Sequence, residues 1–301
     1  MAHAALRIGK RSGLPSTSDR FSLWETVALS IFNKHAPKRE WAPLYASTFF
    51  TEGWLDPHIG PPSGSGGSLR QGWIGVPEAF FNRQIVGIYS RTRGVNGAPN
   101  EQTGSIILES PMSRRYDFGA LVPFVDDLQG NAAQHNTSVG DVLLFNRFLL
   151  HETQDLSVSL NVNVRVPTGS RTTGNDRTAV IPYLAFYKDL GRGFSARGAG
   201  GADVPVDDRP DGRDATLFFS YAMGQTLTPH DTPFFGDFTY YVAMNVTEDL
   251  GGRNRNTFLS FTPGFRTHLG RDWFLLGGVG VPVAGPRTFN ERLTFVLVKG
   301  F

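Results

Sequence analysis

Alternation of apolar and polar residues is the dominant pattern along this chain. From Leu156 to Val166 six apolar residues, at every second position, interleave with Ser157, Ser159, Asn161, Asn163 and Arg165. Successive side chains of a strand point to opposite faces, so such a run predicts a strand with one apolar and one polar face. The same holds for Phe238, Tyr240, Val242, Met244 and Val246, set against Asp237, Thr239, Tyr241, Ala243, Asn245 and Thr247. At the end of the chain Leu293, Phe295, Leu297 and Phe301 share one face, with Arg292, Thr294, Val296, Val298 and Gly300 on the other. Read throughout, the pattern places strands near 81–91, 103–110, 114–123, 139–150, 156–166, 178–188, 194–204, 214–226, 236–247, 256–268, 271–282 and 291–301. That is about twelve, most close to the ~9–11 residues with which a tilted strand crosses hydrocarbon.

The connections add an independent signal. Segments 92–102, 124–138, 167–177, 205–213, 248–255 and 283–290 are long, and 110–113, 151–155, 189–193 and 269–270 between them are short. Segment 227–235 alone is long where a short turn is expected. Membrane barrels alternate short turns at one end with longer loops at the other, whereas a soluble sandwich has no cause to do so. The predicted fold is therefore all-β, a transmembrane antiparallel β-barrel of about twelve strands over 81–301, in contact with membrane lipids and lipopolysaccharide. No apolar run approaches the ~18 residues of a membrane helix, so a closed barrel is the only way this chain can span a bilayer. A strand that ends on an aromatic must pair with something. Leu293, Phe295, Leu297 and Phe301 resemble the signal by which barrel assembly machinery receives outer-membrane proteins, with Lys299 as a departure that can snorkel to head groups. For these last residues alone, the edge strand of a soluble sandwich is the competing reading.

Residues 1–20 read as a disordered leader, and 1–15 hold no apolar stretch of a secretory signal, so the start reads as truncated or misassigned. Residues 21–80 are irregular, with a short helix expected at 23–32 and four of the five tryptophans, Trp24, Trp41, Trp54 and Trp73. Bulky aromatics between Gly/Pro breakers need a surface to bury against. The segment is expected to lie in or across the barrel as a plug or lid. Its Pro/Gly/Ser run at 60–68 lacks the Lys and following helix of a phosphate loop and reads as a flexible connector.

Composition narrows function mainly by exclusion. The 35 glycines and 12% aromatics suit many strands and turns. A net charge of +2 without a basic run argues against nucleic acid. The absence of cysteine removes disulfides, thiol nucleophiles and thiolate metal sites.

Several motifs resemble one family across most of the chain. They are Thr51-Glu-Gly-Trp54, Arg70-Gln-Gly-Trp73, Val139-Gly-Asp-Val142, Val164-Arg-Val-Pro-Thr-Gly169, Thr262-Pro-Gly-Phe265, Asp272-Trp273 and Gly280-Val-Pro282. The family is that of outer-membrane transporter barrels labelled meta-pathway of phenol degradation. The resemblance implies passive uptake of small hydrophobic or aromatic compounds across a bacterial outer membrane, without a cofactor. The competing classes are a sealed structural or adhesive barrel and, well behind, a barrel hydrolase.

Charges facing lipid at mid-depth cost ~2–4 kcal/mol for Arg or Lys, so strand charges belong inside or at the rims. The lumen candidates are Glu109, Arg115, Asp117, Asp141, Arg147, Asn161, Asn163, Arg165, Asp214, Asp237, Tyr241, Asn245, Arg266, His268 and Arg292, with Tyr183 and Tyr187 beside them. Both signs occur, which suits a closed interior knit by ion pairs as well as a water-filled path. No catalytic set or metal site is expected. His151, His230 and His268 do not announce a hydrolase triad, His151-Glu152 reads as a solvated pair, and Asp126-Asp127 is a weak cation signal.

Overall fold

The structure is a computed structural model that describes residues 21–32, 41–94, 100–128, 135–169, 177–206, 213–251, 256–287 and 289–301. Among the described residues a helix, α1 (Leu23–Phe32), precedes thirteen strands. These are β1 (Gln84–Arg93), β2 (Asn100–Pro111), β3 (Tyr116–Leu128), β4 (His135–Val139), β5 (Val142–Glu152), β6 (Leu156–Val166) and β7 (Ala179–Gly191), then β8 (Phe194–Pro205), β9 (Arg213–Thr226), β10 (Gly236–Gly251), β11 (Thr257–Gly270), β12 (Trp273–Ala284) and β13 (Glu291–Gly300). Twelve of them form an antiparallel ring in chain order, β3 pairing with β5 and β13 closing on β1. Closure leaves no sheet edge in the membrane, which an apolar solvent requires.

The thirteenth strand is β4. It pairs only with the far end of β3, so part of the expected 124–138 loop is a hairpin standing beyond the ring. β10 likewise runs to Gly251, past its expected end, because β9 continues to pair with it. At the other end the turns are tight, 227–235 excepted. Arg271 and Asp272 both have positive φ, at 51° and 61°, which is what a two-residue hairpin connection demands.

The faces are inverted relative to a soluble protein. On β6, Ser157, Ser159, Asn161 and Asn163 are buried, and Val158, Leu160 and Val162 between them face outward. On β13, Thr294, Val296 and Val298 are inside, while Leu293, Phe295, Leu297 and the terminal Phe301 are exposed. Leu108 is 55% and Phe219 47% exposed, values that water would penalise and lipid would not.

α1 opens with a capping box, the Glu25 N–H donating to Ser22 Oγ (3.3 Å) and the Ser22 N–H to Glu25 Oε2 (2.8 Å). Its small polar residues face inward. Thr26 Oγ1 donates to the Leu55 carbonyl (2.9 Å) and Ser30 Oγ accepts from the His58 N–H (2.9 Å), whereas Leu23, Trp24 and Phe32 are exposed. The expected 1–20 leader lies outside the described residues. From Trp41 the chain crosses the short-turn end of the barrel and enters the lumen before β1.

Candidate functional site: the lumen and the segment inside it

Arginines of the barrel hold the segment by its backbone. Arg115, fully buried in the β2–β3 turn, donates to the carbonyls of Glu52, Tyr45, Leu149 and Leu150 at 2.8–3.0 Å. Arg114 beside it donates to the Ala42 carbonyl (2.5 Å) and lies 3.8 Å from the Glu152 carboxylate. Glu152 is 3% exposed, so the solvated His151-Glu152 pair is corrected here. Its backbone exchanges two hydrogen bonds with Leu44, and its carboxylate accepts from Trp41 Nε1 at 3.4 Å.

The Pro/Gly run is no free connector either. Ser65 N–H and Oγ donate to the two carboxylate oxygens of Asp155 (2.7 and 2.8 Å), which holds that turn carboxyl below its ordinary pKa. Asp189 Oδ2 accepts from the Gly66 N–H (2.9 Å), and the Gly193 N–H donates to the Gly66 carbonyl (2.7 Å). A Cβ on Gly66 would lie 2.2 Å from Gly191 Cα, so glycine is what allows the run to dock on the β7–β8 turn.

Deeper in, the segment packs on aromatic rings. Trp73 stacks on Tyr241 at 4.8 Å and 2°, and Tyr241 Oη accepts from the Ile74 N–H (2.8 Å). Arg197 on β8, 1% exposed, lies 3.8 Å over the Trp73 ring and donates to the Leu69 carbonyl (3.1 Å). Phe80 packs against Tyr187 and, with Ala79, on Tyr183, Ala185 and Ala199. Arg266 donates to the Gly72 carbonyl (3.3 Å).

The tryptophans expected to plug the lumen therefore divide. Trp73 is inside. Trp41 is at the short-turn rim with Arg114 and Glu152, and Trp54 lies beside Phe148, on the face opposite Asp117 and Arg147. Trp24 is 80% exposed on α1, outside the lumen.

The lumen candidates also sort by place. Arg147 on β5 binds Asp117 (Nε to Oδ2, 2.7 Å) and Glu109, forming one buried cluster with Gln84 donating to Glu109 at 3.2 Å. Asn161 and Asn163 lie on β6 beside it. Arg165 makes a two-pronged pair with Asp203 (2.8 and 3.0 Å), and Asn245 accepts from Ser220 (2.8 Å). Asp237 and His268 meet at the short-turn end. Arg292, at the long-loop end, donates to Thr92 (3.1 Å), and Asp214 is exposed on β9. Two candidates are not strand residues. Arg115 is in the turn before β3, and Asp141 is in the link before β5, where it accepts from the Gly169 N–H at 3.1 Å.

Sequence reading missed Arg197, which stands in the run Ser-Ala-Arg-Gly-Ala-Gly-Gly whose small residues show no alternation. It missed Glu78, whose charge acts on Arg147, Arg197 and Arg266 together. It also missed an apolar sector of the lumen wall. Val86, Ile88, Ile107, Leu276, Val296 and Val298 all face inward there, around a cavity of about 400 Å³ that the segment's Trp73–Glu78 stretch closes on one side. The signal was present as unbroken apolar runs, Ile106-Ile-Leu108, Phe274-Leu-Leu276 and Phe295-Val-Leu-Val298, since a strand apolar on both faces shows no alternation. A second cavity of about 710 Å³ opens at the short-turn end, lined by His58, Arg83, His230, Asp237, Arg266 and Phe301 among others. Gln84 and Val298 line both cavities.

Comparison with known proteins agrees with this architecture. No curated protein matches the sequence. Among solved structures, the COG4313 outer membrane channel from Pseudomonas putida F1 superposes with a TM-score of 0.61 at 16% identity, over 77% of this chain and 99% of that one. KdgM porin gives a TM-score of 0.49 at 9% identity, over 72% and 99%. The family model described as "Putative MetA-pathway of phenol degradation" matches residues 100–295, well over half of the chain, although the Trp54 and Trp73 motifs precede that match. The protein is a member of that family.

Proposed function

We propose that the protein is a non-enzymatic outer-membrane channel for passive passage of small hydrophobic or aromatic solutes. The short-turn end, with the 710 Å³ cavity, faces the periplasm. The observation that carries this reading is the pair of cavities meeting at Gln84 and Val298 along an apolar wall. A largely apolar chamber with a few polar groups, here Gln84, Asn163 and Thr294 with the charged Glu78, Glu109 and Arg147 at its polar side, is the usual composition of a site for small organic ligands. The segment closes the polar side of the lumen and leaves the apolar side less filled. The family name and the channel among the superposed structures point the same way.

The test is uptake into liposomes of toluene-like and polar solutes by the full chain and by a chain lacking residues 21–80. The full chain is expected to pass the apolar solutes preferentially, and the truncated one to conduct more and select less. Failure of both to pass any solute overturns the proposal in favour of a sealed barrel. Equal conduction by both keeps the channel but removes the plug.

A further inference from the structure

The one connection that is long where its neighbours are short, 227–235, folds back on the barrel. The Leu227 N–H donates to the Phe238 carbonyl (2.8 Å), the Phe238 N–H to Thr228 Oγ1 (2.8 Å), and Thr267 Oγ1 to the Phe234 carbonyl (3.0 Å). This return carries His230 over Asp237 at the start of β10 and His268 on β11. The imidazole rings stack at 4.2 Å and 13°, and His230 Nδ1 lies 2.5 Å from Asp237 Oδ2. The approach depends on Gly236, where a Cβ would stand 2.3 Å from the His230 carbonyl oxygen. Asp237 itself is held at φ 51°, a conformation that side chains usually avoid.

His268 is 92% buried (8% exposed), and its Nδ1 is 3.2 Å from the His230 carbonyl. A carbonyl only accepts, so Nδ1 carries the proton and the Nε2 lone pair is free. That Nε2 is buried with no hydrogen-bond partner among the described residues. A buried acceptor left unmet is costly, and a carbonyl that fixes the tautomer is how ligating histidines are commonly oriented. One nitrogen from each ring and one Asp237 oxygen all lie within 4.8 Å of one another.

We propose that His230, Asp237 and His268 bind a divalent transition cation of the zinc class and thereby pin the 227–235 turn to the barrel. Imidazole and carboxylate are zinc's ordinary ligands, at roughly 2.0–2.2 Å. Two tetrahedral ligands at those lengths sit roughly 3.4 Å apart, so the His230–Asp237 contact must open while the wider separations close. His230, whose side chain is 65% exposed on the turn, is the one free to move, while Asp237 and His268 are fixed on strands. His230 and Asp237 line the 710 Å³ cavity, which leaves a fourth position open to water. The proposal stands whether or not the lumen conducts.

The test titrates the full chain, folded in detergent and free of any histidine tag, with Zn²⁺ alone by calorimetry, and counts retained metal after buffer exchange. One equivalent is expected. His268→Gln and His230→Ala should each weaken binding at least about tenfold, while His151→Ala, on β5 away from the cluster, leaves it unchanged. Absence of retained zinc, or binding that neither variant weakens, overturns the proposal. If His268→Gln fails to fold, shown by loss of heat-modifiable migration, His230→Ala on the exposed turn decides alone.

Discussion

The two sides of the lumen wall differ in what they offer a peptide. Strands β6, β7, β8, β10 and β11 present Ser157, Tyr187, Arg197, Tyr241 and Arg266, and the segment's backbone groups and polar side chains are met there one by one. Strands β1, β2, β12 and β13 present Val86, Ile107, Leu276, Val296 and Val298, which can meet no backbone group. A buried N–H or C=O without a partner costs about 1–3 kcal/mol, so an irregular chain bonds its backbone to the first wall and meets the second only through apolar side chains such as Ile74. The cavity along β1 and β13 is thus a consequence of wall chemistry. One wall anchors and the other leaves room.

The largest effect on this contrast should come from the anchoring wall. Arg197→Met keeps bulk but loses the bond to the Leu69 carbonyl and the charge over the Trp73 ring. It also leaves Glu78 with one fewer cation. The loss is expected to be about 2–3 kcal/mol of segment docking, raising the undocked population roughly 30- to 150-fold. Proteolytic cleavage within residues 41–83, measured on folded barrel, should rise accordingly, and unchanged protection would show that Arg197 does not anchor. The barrel's heat-modifiable migration should stay, since the strand ladders do not depend on this side chain.

How much was legible in the sequence follows the same division. Strands with one polar and one apolar face, such as β6 and β10, could be read nearly residue for residue because period two is a direct image of lumen and lipid. The alternating turns gave the two ends. β13 was read as alternating, yet its inward Val296 and Val298 were set on the polar face by parity and left out of the lumen set, because an apolar interior residue carries no charge to flag it. The segment was legible as something that needs a surface, but the surface was not. Trp24, Trp54 and Trp73 are alike in sequence. What separates them is that the Tyr241 ring and Arg197 meet only Trp73, a contact spanning well over a hundred residues that no local pattern encodes. Gly66 likewise looked like slack because its purpose, close approach to Gly191, lies on another strand turn.

A smaller effect should follow from filling the apolar wall. Val298 borders both cavities and faces inward, so Val298→Trp adds a ring where there is space and touches neither lipid nor a hydrogen bond. Overpacking costs typically ~1–3 kcal/mol, and the adjoining 400 Å³ should keep it at the low end. Liposome uptake of toluene-like solutes is expected to fall several-fold, with the segment's protease protection unchanged. A fall in both would mean that the two walls are not independent. Unchanged uptake would remove the apolar wall from the path.

The smallest effect concerns pH, and it tests whether the segment's hold extends to its entry. His58 lies where the segment passes from α1 toward the lumen, bordering the 710 Å³ cavity beside Phe81. Burial, with the guanidiniums of Arg83 and Arg114, pushes its pKa down to about 3. Released from the barrel, the same imidazole returns to about 6.5. The released form therefore binds the proton more readily. Above pH 6.5 both forms are neutral and docking is indifferent to pH. As pH falls from 6.5 toward 3, docking weakens by at most tenfold per unit, because one proton is taken up on release. The side chain is only half-buried and water reaches it from the cavity, so the observed slope should be shallower than that limit. Protease accessibility of residues 41–83 between pH 7 and pH 5 should rise by less than a hundredfold in the native chain. It should rise less in His58→Gln, which cannot take up the proton. An equal rise in both would show that His58 does not set the acid response; Asp155, whose carboxyl is held below its ordinary pKa, loses its stabilising effect only below about pH 5, outside this window.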